Sequence, residues 1–234
     1  MVHEQNVKLS HPNAISYSID GDTDYIASSL RVEEEKFLFD VNGPNGVWEN
    51  IELGIPGIHN VENALACIAL CEWVGIEKEI ILKGLREFAG VHRRFDYHVR
   101  TEQLIYIDDY AHHPTEIRAL IASVRLMFPK KKITAIFQPH LYSRTRDFMS
   151  EFAEELSKVD KLLLLPIYPA REEPIAGITS DALLSSVSID AKRLVDADQA
   201  IEMASQLSEG VILTLGAGDI DKLVAPLTKV ILKS

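Results

Sequence analysis

Leu104-Ile105-Tyr106-Ile107-Asp108-Asp109-Tyr110-Ala111-His112-His113-Pro114-Thr115-Glu116-Ile117 changes character twice, and its reading decides the fold. Residues 104–108 form a short apolar run of the kind that makes a buried strand. Pro114 suits the first turn of a helix, where its missing N–H is no loss, and Glu116 complements the positive end of the helix dipole. Ile117, Leu120, Ile121, Val124 and Phe128 then recur at helical spacing, which predicts a helix over residues 114–128.

The same unit recurs downstream. Residues 133–137 and 162–167 read as buried strands, and residues 145–159 as a helix with Phe148, Phe152 and Leu156 in register. A looser stretch over 169–178 leads to a short helix at 180–187. Residues 193–195, 197–207, 211–215 and 219–232 continue as strand, helix, strand and helix. Strands alternating with single helices need crossover connections, and these build a parallel sheet covered on both faces. The class is therefore α/β, a doubly wound, mostly parallel Rossmann-like sheet. Residues 95–100 should pair with 104–108 as an antiparallel edge hairpin.

Upstream the period is different. Residues 14–19, 25–32, 37–41 and 47–53 have strand patterns separated by turn signals such as Asp20-Gly21-Asp22 and Asn42-Gly43-Pro44-Asn45-Gly46, and they read as hairpins. Their apolar content is low for an independent core, so this β-rich region reads as the remnant of a larger domain. Helical spacing follows over 61–74 and 80–88. Gly90 and His92-Arg93-Arg94 break it, which places a linker at about 88–94 and domains at 1–90 and 91–234. Cys67 and Cys71, four apart in the first of these helices, read as buried thiols.

At 234 residues and 47% hydrophobic, the chain can bury a sizeable core. It has no long apolar run of membrane-spanning length, and residues 1–12 are too polar for a secretory signal, so the expectation is a soluble cytoplasmic protein. A net charge of −11 repels nucleic acid and anionic membranes. Any anionic ligand must then be held by a local cluster, for which His92, Arg93, Arg94, Arg144 and Arg146 are the candidates.

Ligands of open parallel sheets bind at the carboxyl ends of the strands, and three loops lie there. Residues 108–113 combine two carboxylates with two imidazoles, which could hold a divalent metal; alternatively Asp108 ends the strand and His113 caps the next helix. Residues 138–146 bring His140, Arg144 and Arg146 into one loop, able to present guanidinium groups to a carboxylate or phosphate, or forming only a solvated face. Residues 168–173 carry both signs of charge, as a surface ion-pair loop or a lid would. Leu215-Gly216-Ala217-Gly218-Asp219 lacks the third glycine of a dinucleotide fingerprint and follows the chain's final strand, so it reads as a tight strand-to-helix turn. No G-x-x-x-x-G-K-[ST] segment occurs, so a phosphate-binding loop of that kind is not complete in this sequence.

Six stretches in order resemble one family, the ATP-dependent Mur ligases of peptidoglycan precursor synthesis, in the form taken by their alanine-adding members. They are Gly57-Ile58-His59-Asn60-Val61-Glu62-Asn63-Ala64-Leu65-Ala66, Gly90-Val91-His92-Arg93-Arg94-Phe95, Asp108 to Glu116 as quoted, Gln138-Pro139-His140, Tyr142-Ser143-Arg144-Thr145, and Leu215-Gly216-Ala217-Gly218-Asp219-Ile220. The resemblance implies an amide-forming ligase that phosphorylates a carboxylate with ATP and lets an amino group attack the acyl phosphate. By that likeness the chain is the end of a central ATPase domain followed by an amino-acid-binding domain, inactive without the amino-terminal portion.

What the family implies for residues follows from the same motifs. His59, Asn60 and Asn63 would contact the adenine, Arg94 the nucleotide phosphates, and Asp109 the nucleotide side. Tyr110, His112, His140 and Arg144 would form the pocket of the incoming amino acid, with His112 and Arg144 taken as catalytic. The implied small molecules are ATP, Mg²⁺ bound by residues of the missing portion, L-alanine and UDP-N-acetylmuramate, with no nucleic acid or membrane. Leu141 stands where many members carry arginine. Other readings are a peptide-adding recycling ligase, a metal-dependent hydrolase using Asp109, His112, His113 and His140, and a non-catalytic nucleotide-binding module.

Overall fold

The computed structural model describes residues 2–4, 14–34 and 36–233; most of the amino-terminal stretch examined for a signal lies outside the described residues. The chain divides into two compact units, Met1–Gly90 and Val91–Ser234.

The first unit carries a five-stranded sheet in the order of the chain, β1 (Val2–Glu4), β2 (Ile15–Ser18), β3 (Tyr25–Glu33), β4 (Lys36–Gly43) and β5 (Gly46–Leu53). Alternation sets its buried face in β4, where Phe37, Phe39 and Val41 point inward; in β5 Trp48, Ile51 and Leu53 do so, with a register shift between Trp48 and Ile51 that keeps both on that face. Helix α1 (Ile58–Trp73) lays Val61, Ala64, Leu65, Ile68 and Ala69 into the same core, and α2 (Lys78–Glu87) adds Ile81. Full burial of side chains such as Phe37 or Leu65 contributes roughly 1.5–3 kcal/mol each. Two helices thus complete the core that the strands, poor in apolar residues on their own, begin.

Two expectations need correction here. Only β3–β4 and β4–β5 pair antiparallel; β1–β2 and β2–β3 are parallel. The Asp20-Gly21-Asp22 turn does not close a hairpin, because the Asp24 carboxylate accepts from the Ser16 N–H at 2.7 Å and its hydroxyl at 2.8 Å. That contact brings the chain back so that Tyr25 starts beside Tyr17. Cys67 is exposed and Cys71 half-buried, since both fall off the buried stripe of α1.

In the second unit a six-stranded sheet has the order β10-β9-β8-β11-β7-β6, from β6 (Asp96–Arg100), β7 (Leu104–Asp109), β8 (Ile133–Phe137), β9 (Lys161–Leu164), β10 (Lys192–Leu194) and β11 (Gly210–Leu215). All neighbours are parallel except β6–β7, the edge hairpin. The helices are α3 (Pro114–Met127), α4 (Tyr142–Asp147), α5 (Met149–Leu156), α6 (Ser180–Ser186), α7 (Ala197–Ser205) and α8 (Val224–Ile231). Helices α3, α5 and α6 pack in sequence with one another, while α7 packs on α8. Tyr106, Ile136, Leu163 and Ile212 share one core cluster with Ala200, Ala204 and Leu227. Burial on both faces explains why β7, β8 and β11 are buried at every position.

Here too the sequence reading shifts in places. The helix expected over 145–159 starts at Tyr142 and breaks at Phe148, whose backbone (φ −122°, ψ 24°) separates α4 from α5 while its ring packs edge-on against His113. Strand β9 ends at Leu164, ahead of Pro166, which has no N–H to give a ladder. Residues Asp219–Leu223 form a 3-10 turn before α8 begins. The chain's last strand, β11, lies between β7 and β8 in the middle of the sheet, not at its margin. Among the described residues no helix is long and apolar enough to cross a membrane.

Candidate functional site

Because β11 is inserted between β7 and β8, the loops after all three strands meet at one edge of the sheet. Glycine makes their closeness possible. A Cβ on Gly216 (φ +144°) would meet the Gln138 carbonyl oxygen at 2.8 Å, and one on Gly218 would strike Gln138 Oε1 and, at 2.7 Å, Tyr168 Cβ. Gln138 fastens the same turn from the other side: its Nε2 donates to Asp219 Oδ1 at 2.8 Å and its Oε1 accepts from the Ile220 N–H at 3.0 Å. The G-x-G segment is therefore a close-approach turn with Asp219 in it, as the sequence favoured.

Asp108 and Asp109, adjacent at the end of β7, are both spent inside. Asp108 is fully buried and takes the Arg93 Nε at 2.9 Å and the Thr214 hydroxyl at 2.5 Å. Arg93 also donates to the Gly216 carbonyl oxygen at 2.6 Å and adopts φ +62°. Asp109 accepts from the Phe95 and Ala111 N–H groups, each at 2.8 Å. Burial pushes its carboxyl up to about 6, against the pull of those two N–H groups and of Arg94. Asp109 thus ties Phe95 to the end of β7.

The aromatic and imidazole side chains form a continuous row. Tyr110 lies under the guanidinium groups of Arg93 and Arg94, at 5.2 and 5.5 Å from its ring centre. Its ring meets that of His112 edge-on at 5.1 Å, His112 meets His140 edge-on at 6.0 Å, and His140 stacks on Tyr168 at 5.6 Å and 18°. His112 Nδ1 lies 2.9 Å from the Tyr110 carbonyl oxygen and 3.2 Å from Glu116 Oε2, so Nδ1 carries a proton and Nε2 is the ring's other polar atom. Burial raises Glu116, but the His112 and His113 N–H groups, the His112 ring and Arg94 outweigh it and leave its carboxyl below the ordinary value. Burial, then Arg144, then His112 hold His140 below the ordinary imidazole value.

Arg144, in the first turns of α4, closes the row. Its Nη1 and the Nδ1 of His140 are buried without a hydrogen-bond partner. Two such atoms in one corner are costly unless a ligand completes them. The lead-in is strained: Leu141 sits at φ +70°, ψ 135°, a conformation costing ~1–3 kcal/mol for a side-chain-bearing residue. Its carbonyl oxygen nevertheless receives both the N–H and the hydroxyl of Thr145, at 3.1 and 2.8 Å.

The remaining candidates divide. His113 caps α3, accepting from the Thr115 N–H at 3.3 Å within a capping box with Glu116. His92 pairs with Asp96 on the surface and Arg146 with its neighbour Asp147. Among the described residues no three His, Cys, Asp or Glu side chains gather as a metal would need. The donors named for a hydrolase are dispersed, with Asp109 tied to the backbone, His113 capping a helix, and only His112 and His140 adjacent. In the first unit, His59 and Asn60 occupy the first turn of α1 and Asn63 the second. Asn60 Nδ2 donates to the Pro56 carbonyl oxygen at 2.7 Å, and Asn63 Nδ2 reaches Asn60 Oδ1 at 3.4 Å. Asn60 and Asn63 line a cavity of about 450 Å³ whose other walls are mainly apolar side chains of α1 and α2, together with Cys67 and Cys71.

Comparison with known families assigns the fold. A model described as "Mur ligase, glutamate ligase domain" matches residues 93–218, and one described as "Mur ligase middle domain" matches residues 2–71. The chain belongs to the Mur ligase family. The UDP-N-acetylmuramate–L-alanine ligase of Cytophaga hutchinsonii is 44% identical over 231 residues, covering 97% of this chain and 50% of that protein. A crystal structure of the UDP-N-acetylmuramate-alanine ligase of Thermotoga maritima superposes with a TM-score of 0.78 at 27% identity, over 92% of this chain and 47% of that one. The MurF ligase of Thermotoga maritima, solved with ADP, shares the fold at a TM-score of 0.70 and 18% identity, over 94% and 49%. This Mur ligase chain spans about half the length of the curated relatives it matches.

Tyr168, Gln138, Ser143 and Glu172 lie in the loops that the sequence places at this end of the sheet, but the sequence gives none of them an individual role there. Gln138 and Ser143 stood inside quoted motifs, but no local signal tells which residue a loop from another strand will meet.

Proposed function

We propose that this chain is the carboxy-terminal half of an ATP-dependent ligase that joins L-alanine to UDP-N-acetylmuramate through an acyl phosphate, with residues 91–234 as the amino-acid-binding domain and residues 1–90 as part of the ATP-binding one. The observation that carries the reading is the pair of buried, unpartnered nitrogens, His140 Nδ1 and Arg144 Nη1, beside His112 and Tyr110. A small amino acid supplies what they lack. Its carboxylate pairs with Arg144 in a charge-assisted hydrogen bond.

In this reading Arg144 orients the amino acid, and the row of rings excludes water around it. His140, held neutral, does not repel an ammonium group, and His112, with Nδ1 protonated, offers Nε2 to take the proton that the amine must lose before attacking. Arg94 faces the phosphates, and Asn60 and Asn63 give amide donors and acceptors to the adenine. ATP, when bound, supplies the phosphoryl group that activates the carboxylate. Mg²⁺, as the family resemblance implies, would be held by residues of the other half of the ligase and would offset charge on the phosphates. The reaction takes place in the cytoplasm, where its nucleotide substrates are.

The test is phosphate release in the presence of ATP, UDP-N-acetylmuramate and L-alanine. The complete ligase should release phosphate only when all three are present, and the 234-residue chain alone should release none above background. Release by the complete ligase that does not depend on alanine would reject the reading.

A further inference from the structure

We infer that Glu172 is a positioning residue for the amino-acid pocket: its carboxylate holds the start of α4 and so sets where Arg144 and His140 present their nitrogens. The inference rests on the proposed reading of that pocket. Glu172 reaches across from the loop after β9. Its Oε1 accepts from the Ser143 hydroxyl at 2.5 Å and its Oε2 from the Ser143 N–H at 2.9 Å. Helix α4 has no side-chain cap of its own, because its N-cap residue is Leu141. Glu172 does that work from a distance, with a charge suited to an amino-terminal turn.

The hold is one half of a two-point attachment. On the other side of Leu141, the Leu141 N–H donates to the Tyr168 carbonyl oxygen at 2.9 Å, and the Tyr168 N–H to the Pro139 carbonyl oxygen at 2.8 Å. His140 and Tyr168 form a parallel bridge, and their rings stack. The strained Leu141 is thus pinned by Tyr168 before it and by Glu172 after it. The Glu172 N–H in turn donates to the Pro169 carbonyl oxygen at 2.9 Å, which folds residues 169–172 into a turn aimed at Ser143. Without Glu172, Leu141 can relax toward negative φ, and Arg144, one residue beyond Ser143, moves with it.

In the complete ligase, Glu172→Ala should raise the KM for alanine at least tenfold, with the KM values for ATP and UDP-N-acetylmuramate within twofold of the parent. Glu172→Gln keeps an acceptor oxygen for Ser143 and should recover most of the loss. A folded Glu172→Ala enzyme with an unchanged KM for alanine, or with all three KM values raised together, would overturn the inference. If Glu172→Ala abolishes folding, Ser143→Ala, which removes only the hydroxyl contact, should raise the alanine KM two- to fivefold, and no change there would overturn it equally. A parent enzyme indifferent to alanine would instead sink the functional reading, and the role of Glu172 with it.

Discussion

Arg93 and Asp108 form an ion pair of 2.9 Å in which the carboxylate is wholly buried and the arginine side chain is 11% exposed. The pair fixes residues 91–95 to the end of β7, and the second guanidinium contact, to the Gly216 carbonyl oxygen, reaches the neighbouring strand. Removing one partner of such a pair leaves a buried charge uncompensated. Arg93→Ala should therefore destabilise the second unit by about 3–5 kcal/mol. Arg94→Ala, whose half-exposed pair with Glu116 spans 3.5 Å, should change stability by less than about 1 kcal/mol. Denaturant unfolding of the two variants checks the contrast, and equal effects would mean that the Arg93 pair is not a structural anchor.

Asp109 makes a pH prediction whose sign is opposite to that of a paired surface carboxylate. Its folded value of about 6 lies above the ordinary aspartate value, so between the two the folded state binds more protons than the unfolded. The contribution of Asp109 to stability is complete at low pH and is lost as pH rises through about 6. The stability of the parent relative to Asp109→Asn should fall across roughly pH 4–6 and level off above 7. A carboxyl carbon resonance titrating near 4 would contradict the burial argument.

Much of this unit was legible because its strands are buried on both faces. The apolar runs of β7, β8 and β11 need no partner to be recognised, and Pro114 with Glu116 marks the start of α3. Long-range placement was less legible. Nothing in residues 210–215 says that the strand enters the middle of the sheet, and Phe148, Phe152 and Leu156 keep helical spacing across a break made by one residue's backbone. The parallel pairing of β2 with β3 was hidden because Asp20-Gly21-Asp22 has the composition of a hairpin turn while Asp24, farther on, directs the chain. The candidate site followed the same rule: Tyr110, His112, His140 and Arg144 stood in motifs, whereas Glu172 stood in a loop of mixed charge whose contact to Ser143 only the fold reveals.

On the nucleotide side, Asn63 makes only a long 3.4 Å contact to Asn60, which a ligand can replace at little cost. In the complete ligase, Asn63→Ala should weaken ATP binding about fivefold, the loss of a neutral hydrogen bond of about 1 kcal/mol, and leave the KM for alanine unchanged. Calorimetric titration with a non-hydrolysable ATP analogue measures it. Unchanged nucleotide affinity would count against placing the adenine at the start of α1.

The central claim is that Arg144 completes its unpartnered Nη1 with the carboxylate of the incoming amino acid. Substrate-dependence kinetics of Arg144→Ala in the complete ligase test it most directly. Loss of a buried charge-assisted contact on the order of 2 kcal/mol should raise the KM for alanine about thirtyfold, with the KM for ATP within twofold. A variant with a raised KM for ATP and an unaltered KM for alanine would contradict the assignment.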